Sequence, residues 1–154
     1  MKKGDLILVK YKLDVIGWLI RRFTKFHFNH IALCINDKGV IIESNRQGIL
    51  PNHISKYKNI FLYKTKILRV KVDEKIIDEL ILEALLQVKK YPIIAHILSF
   101  IYIGLGLNVE LPKPTCSGFI ATLFSQFGVQ FNKKVDPSLI TPLDIYKSRR
   151  TYEL

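Results

Sequence analysis

Few side chains in this sequence could do covalent chemistry: two cysteines, Cys34 and Cys116, four histidines and thirteen carboxylates. Cys116 has the most favourable surroundings. Pro112 and Pro114 keep its approach extended, because proline has no N–H and biases its predecessor away from helix. Thr115 can cap a helix in which Phe119, Ile120, Leu123, Phe124 and Phe127 recur at three- and four-residue spacing, and Gly128 suits its end. Cys116 then falls in the first turn, where N–H groups without helical partners and the helix dipole favour a thiolate. A cysteine nucleophile needs that setting. A small buried hydrophobe, a common use of free cysteine, would fit the same position.

The base such a thiol requires is found in a hairpin. Phe28 to Ile35 and Val40 to Asn45 are rich in β-formers, and Asn36-Asp37-Lys38-Gly39 between them is a turn. Pairing Ile35 with Val40 sets His30 opposite Asn45 and Ala32 opposite Glu43, all four on one face. Glu43 is then diagonal to His30, and Asn45 is the rival for the same role. A carboxylate or amide beside an imidazole fixes its tautomer and orientation for general-base work. A histidine satisfied within the core is the plainer alternative, but a carboxylate buried on the same face needs a partner.

The elements that must position these groups follow from the pattern. Gly4-Asp5 leads into a first strand at Leu6 to Lys10, and Asp14 can cap a short amphipathic helix over Val15 to Phe23. After Ile49 the spacing predicts a loop containing Pro51, Asn52 and His53. Strands follow at Asn59 to Tyr63 and at Lys66 to Val72, the second with Leu68, Val70 and Val72 on one face. Asp73 caps a helix from Glu74 to about Lys90, broken by Tyr91-Pro92. The tail predicts a loop and a last short helix capped by Thr141. Residues 93–107 are the most apolar stretch, shorter than the roughly 18–20 residues needed to cross a bilayer. They suit a buried helix or, alternatively, an element lining an acyl-chain pocket.

Composition narrows the class. A chain of 154 residues predicts a single domain, 1–154, with a sizeable core. Two cysteines make no disulfide framework, which together with the absence of a signal-peptide pattern predicts a cytoplasmic setting. The net charge of +11 lies in residues 1–71, which carry fifteen Lys/Arg against four Asp/Glu. That half suits an anionic membrane surface, with a location peripheral to a membrane, or is a solvated lysine-rich surface. No nucleic-acid partner is expected, because basic residues are not interleaved with aromatics in a recognisable module. No metal site is expected either: His27 and His30 point to opposite faces of an extended segment, and no CxxC or HxxxH spacing occurs. Gly104-Leu105-Gly106 is a lone GxG and predicts no nucleotide site.

Gly4-Asp5-Leu6-Ile7, His30-Ile31-Ala32-Leu33, Ile41-Ile42-Glu43 with Gly48-Ile49, Thr115-Cys116-Ser117 and Thr141-Pro142-Leu143-Asp144 occur in an order that spans nearly the whole chain. This arrangement resembles the circularly permuted branch of the NlpC-type papain-like superfamily, the YiiX/YaeF-like cysteine peptidases and amidases. Histidine preceding cysteine is the mark of the permutation. The resemblance implies an α+β permuted papain-like fold, a small curved antiparallel sheet packed on helices including the one that starts at the nucleophile. It implies Cys116 as nucleophile, His30 as general base and Glu43 as its orienting residue. Ser117 and a tyrosine, matched here to Tyr91, would form the oxyanion side or wall of the site. No cofactor is implied. The expected reaction is hydrolysis or transfer of an acyl group from a small peptide, cell-wall or lipid substrate through a Cys116 thioester. A lipid acyltransferase or lipase at a membrane surface, and a binding protein that has lost catalysis, are the alternatives.

Overall fold

The computed structural model describes residues 1–12, 22, 26–90 and 114–154. Among these, the chain runs β1 (Leu6–Tyr11), β2 (His30–Cys34), β3 (Val40–Asn45), β4 (Gly48–His53), a 3-10 turn (Ile54–Tyr57) and β5 (Tyr63–Val70). Then come α1 (Glu74–Leu86), β6 (Lys89–Lys90), α2 (Cys116–Gln126), a second 3-10 turn (Pro137–Leu139), α3 (Pro142–Lys147) and β7 (Thr151–Glu153). The architecture is α+β: a seven-stranded sheet in the order β6-β4-β3-β2-β1-β5-β7, with every pairing antiparallel.

Alternation along β1 and β2 splits the apolar side chains between two faces. Leu6, Leu8, Ile31 and Leu33 join Leu80 and Ala84 of α1 and Phe119, Ile120, Leu123 and Phe124 of α2 in the larger core. Each fully buried Leu, Ile or Phe there contributes about 1.5–3 kcal/mol. Helices α1 and α2 thus cover the sheet, packing their apolar faces on it. Ile7, Val9, Ala32, Cys34 and Ile41 point the other way and pack with Tyr57, Tyr11 and Tyr63. Asp5 is buried at the start of β1, where the Arg69 guanidinium donates to both its oxygens at 2.8 and 3.0 Å. That pair ties β1 to β5.

Several boundaries differ from the sequence pattern. Asn59 to Leu62 is a turn, because the Asn59 side chain accepts from the Phe61 N–H at 3.0 Å and its carbonyl from those of Leu62 and Tyr63. The segment with Pro51, Asn52 and His53 is strand β4, not a loop. Pro51 is tolerated because β6 pairs only with Gly48 and Ile49, so Pro51 lies where β4 is the sheet edge among the described residues. The α1 helix ends at Leu86, and Lys89–Lys90 add a short strand instead of a last helical turn. Gly48 permits this, since a Cβ there would sit 2.1 Å from the Lys89 carbonyl oxygen. Strand β7 went unpredicted; it pairs with β5 beyond the short helix. The proposed helix over residues 15–23, apart from Arg22, the apolar stretch 93–107 and Tyr91 lie outside the described residues.

Candidate active site

The Cys116 helix begins as its sequence predicts. Thr115 is the N-cap: its hydroxyl accepts from the Gly118 N–H at 3.0 Å, and its carbonyl accepts from Phe119 at 2.8 Å. Gly118 lets this first turn lie on the 3-10 turn at 137–139, since a Cβ would come 2.3 Å from the Ser138 carbonyl oxygen. From the other side, the Ser44 hydroxyl of β3 donates to the Pro114 carbonyl at 2.7 Å. The start of α2 is therefore clamped between β3 and the C-terminal segment. Cys116 is partly exposed there, whereas Cys34 is fully buried in β2.

His30 opens β2 and is buried, with Nε2 2.8 Å from Glu43 Oε2. The diagonal contact expected from the hairpin register is thus present. Its other nitrogen is left for Cys116, whose thiol is near enough to the imidazole for each to shift the other's pKa. Tyr11 packs edge-on to the ring, 5.7 Å between centroids. The β2–β3 ladder covers only Leu33–Ile42 and Cys34–Ile41, so His30 and Asn45 lie beyond the paired stretch. Asn45 correspondingly touches Glu43, its Nδ2 donating to Oε1 at 3.3 Å.

Glu43 is fully buried, and an ionised carboxylate there would cost several kcal/mol without partners. It has five. Oε2 accepts from His30 and from the Tyr57 hydroxyl at 2.5 Å; Oε1 accepts from Asn52 at 2.9 Å, from Asn45 and from the Lys56 ammonium. Burial alone would raise its pKa, but His30, Lys56 and Tyr57 outweigh burial and hold it well below the usual carboxylate range. Burial and the neighbouring carboxylate push the Tyr57 hydroxyl far up, so it stays a donor. Tyr11 is also pushed up, chiefly by burial, and its hydroxyl lies 3.1 Å from that of Tyr57.

The thiol and imidazole shift in opposite directions. For Cys116, burial opposes ionisation, but the facing His30 and the backbone N–H groups of Ile31 and Ser117 bring its pKa below the ordinary thiol value. For His30, burial opposes the charged form, yet Cys116 and Glu43 raise it to about 9. The two shifts, thiol down and imidazole up, favour a thiolate–imidazolium pair backed by a carboxylate. Burial raises Cys34 instead. Among the described residues, no three or more His, Cys, Asp or Glu side chains are grouped to hold a metal ion.

Cys116, His30 and Glu43 therefore meet, and Ser117 adjoins them through its N–H. Tyr57, Lys56, Asn52 and Tyr11 are site residues that the sequence analysis missed. Asn52 had a readable signal: a two-residue turn at Arg46-Gln47 pairs Glu43 with Leu50 and puts Asn52 diagonal to the carboxylate. Tyr57 and Lys56 had none, since a 3-10 turn brings them in. Among the described residues, Tyr11 and Tyr57 are tyrosines that pack beside His30, and Tyr57 also bonds Glu43. No helix among the described residues is long and apolar enough to cross a membrane. Comparison with protein families and with curated proteins gives no match for this chain.

Proposed function

We propose that the chain is a thiol-dependent hydrolase or acyl transferase on a permuted papain-like fold, with Cys116 as nucleophile, His30 as acid–base and Glu43 as the residue that orients His30. The observation carrying this reading is the unbroken chain from the Cys116 thiol through the His30 imidazole to the buried Glu43 carboxylate, with the thiol pKa lowered and the imidazole pKa raised. A cysteine kept only for packing has no need of such a partner.

The chemistry runs in two halves. The Cys116 thiolate adds to the carbonyl carbon of an amide or ester, and the C=O electrons move onto oxygen. The Cys116 N–H, at the helix start and without an intrahelical acceptor, supplies one donor to that oxyanion. As the intermediate collapses, His30 gives its proton to the departing amine or alcohol, leaving a thioester. His30, now neutral, takes a proton from water or an acceptor nucleophile, which attacks the thioester. That proton restores the imidazolium, and the second collapse re-forms the C=O and expels the Cys116 thiolate beside it. Glu43 stays ionised throughout, fixing the ring and balancing its charge.

Iodoacetamide labelling at neutral pH, mapped by mass, tests the assignment without a substrate. Cys116 should be modified well before Cys34. Preferential modification of Cys34, or a Cys116 rate no faster than that of an ordinary thiol, removes the basis for the proposal.

A further inference from the structure

We infer that the turn at Asn59–Leu62 is a docking tip for an anionic lipid membrane. Ile60 and Phe61 are adjacent at its apex and are 73% and 81% exposed; among the exposed large hydrophobic side chains Phe61 ranks first and Ile60 third, behind Leu86 at 74%. The turn holds them out through its own hydrogen bonds: Asn59 accepts from Phe61, Leu62 and Tyr63, Lys12 N–H donates to the Leu62 carbonyl at 2.9 Å, and Lys12 Nζ to that of Ile60 at 2.7 Å. Insertion would therefore require little ordering of the chain.

Charge identifies the partner. Residues 44–72 contain seven Lys/Arg and no Asp or Glu. Lys58 and Lys64 flank the apex in sequence and are exposed, as is Lys12. Lys10 lies directly opposite Lys64 across the β1–β5 pair, an arrangement of like charges that destabilises a sheet and that anionic headgroups would relieve. Two bulky apolar residues on a basic collar match the layered chemistry of such a surface, with acyl chains beneath acidic headgroups. A single-stranded polyanion such as RNA could stack a base on Phe61 but would leave the aliphatic Ile60 side chain unused.

The tip is continuous with the catalytic groups. Tyr63, immediately after it, packs on Tyr11 and Tyr57 at 5.2 and 5.3 Å, and Tyr11 packs on His30. Docking would hold the Cys116 site near the lipid. The docking inference does not depend on the thiol chemistry.

Co-sedimentation with phosphatidylcholine vesicles, with and without phosphatidylserine, tests it at low and raised salt. The full chain should bind the phosphatidylserine vesicles, less as salt screens the collar. Ile60→Ser and Phe61→Ser should each weaken binding about tenfold or more, while Cys116→Ala binds like the unaltered chain. Because both residues are exposed, circular dichroism should show the variants folded. Absence of vesicle binding at low salt overturns the inference. So does binding unchanged in the Ile60→Ser, Phe61→Ser double variant, or RNA binding without vesicle binding. Failure of the thiol reading would appear separately, as slow Cys116 alkylation in a chain that still binds vesicles.

Discussion

Replacing Glu43 with Gln tests the site at its most constrained atom pair. The two carboxylate oxygens serve different donors: Oε2 accepts from His30 and Tyr57, and Oε1 from Lys56, Asn52 and Asn45. A glutamine has only one acceptor oxygen to offer. Kept on the Lys56 side, which has three donors, it turns its NH2 toward His30 Nε2 and Tyr57. His30 Nε2 must then accept, so the neutral ring carries its proton on the nitrogen facing Cys116 and cannot take the thiol proton. The imidazolium also loses its carboxylate. His30 now stands at about 9 against an ordinary 6.5, an elevation on the order of 3 kcal/mol, shared by Cys116 and Glu43 against the opposing effect of burial. Losing the Glu43 share should lower His30 by roughly a unit or more, about 1.4 kcal/mol per unit, and cost the thiolate its partner in proportion. Cys116 alkylation at neutral pH should therefore slow about tenfold or more, with the pH profile displaced upward. Stability should fall toward the lower end of about 3–5 kcal/mol, because Lys56 can swing into solvent. The assay is iodoacetamide rate against pH, with urea unfolding and circular dichroism alongside. A profile superimposable on that of the unaltered chain, or a larger loss in Asn45→Ala, would refute the orienting role.

Other outcomes follow from the same geometry. Tyr57→Phe removes a donor from the oxygen that His30 uses and should cost about 1.5–3 kcal/mol in urea unfolding, with a smaller effect on alkylation than Glu43→Gln. Above about pH 9 His30 loses its proton while Cys116 remains a thiolate, so alkylation should persist where hydrolysis of a thioester-forming ester substrate declines; parallel decline of both would contradict the ion pair. Because the folded-state pKa of His30 is raised, its stabilisation is complete below 6.5 and lost as pH rises through about 9. Because that of Glu43 is lowered, its stabilisation is present above its ordinary value of 4.5 and lost as pH falls below it. Because the Cys116 pKa is lowered, its stabilisation grows as pH rises toward the ordinary thiol value of 9.0, over the range in which that of His30 is lost. Urea midpoints should therefore fall chiefly at the acid end, and Cys116→Ala should remove this offset on the alkaline side. In Gly118→Ala, better helix propensity is worth about 1 kcal/mol at most, whereas the added Cβ meets backbone at 2.3 Å. The clash should win, lowering stability and slowing Cys116 alkylation; a more stable variant would show that the helix start is not clamped.

The parts of the site legible in the sequence are those set by local rules. Thr115 with Gly118 is a cap, and 28–45 is a hairpin with its register fixed by one turn, so Cys116 at a helix start and Glu43 diagonal to His30 could be read directly. What was not legible depends on contacts distant in sequence. Asn59 reads as part of a β-rich run, but its side chain closes a turn; Lys89–Lys90 read as a helix end, but the β4 edge captures them. Tyr57 and Lys56 reach Glu43 only because a 3-10 turn folds back from β4, a connection no periodicity announces.

The least local feature is how the thiol reaches the imidazole at all. By alternation His30 shares a sheet face with Ala32 and Cys34, whereas Cys116 packs with the helix-side core on the opposite face. An unbroken sheet would keep them apart. The odd-numbered N–H groups of this strand point toward β3, as Ile35 shows by donating to Val40 at 3.0 Å, but the ladder stops after Leu33–Ile42. The Ile31 N–H is instead beside the Cys116 sulfur and lowers the thiol pKa. The start of α2 thus takes the place of a β3 partner beside this strand, held by Ser44 through Pro114. In this arrangement the backbone group freed by the break in pairing lowers the thiol pKa, and the same break lets His30 face it.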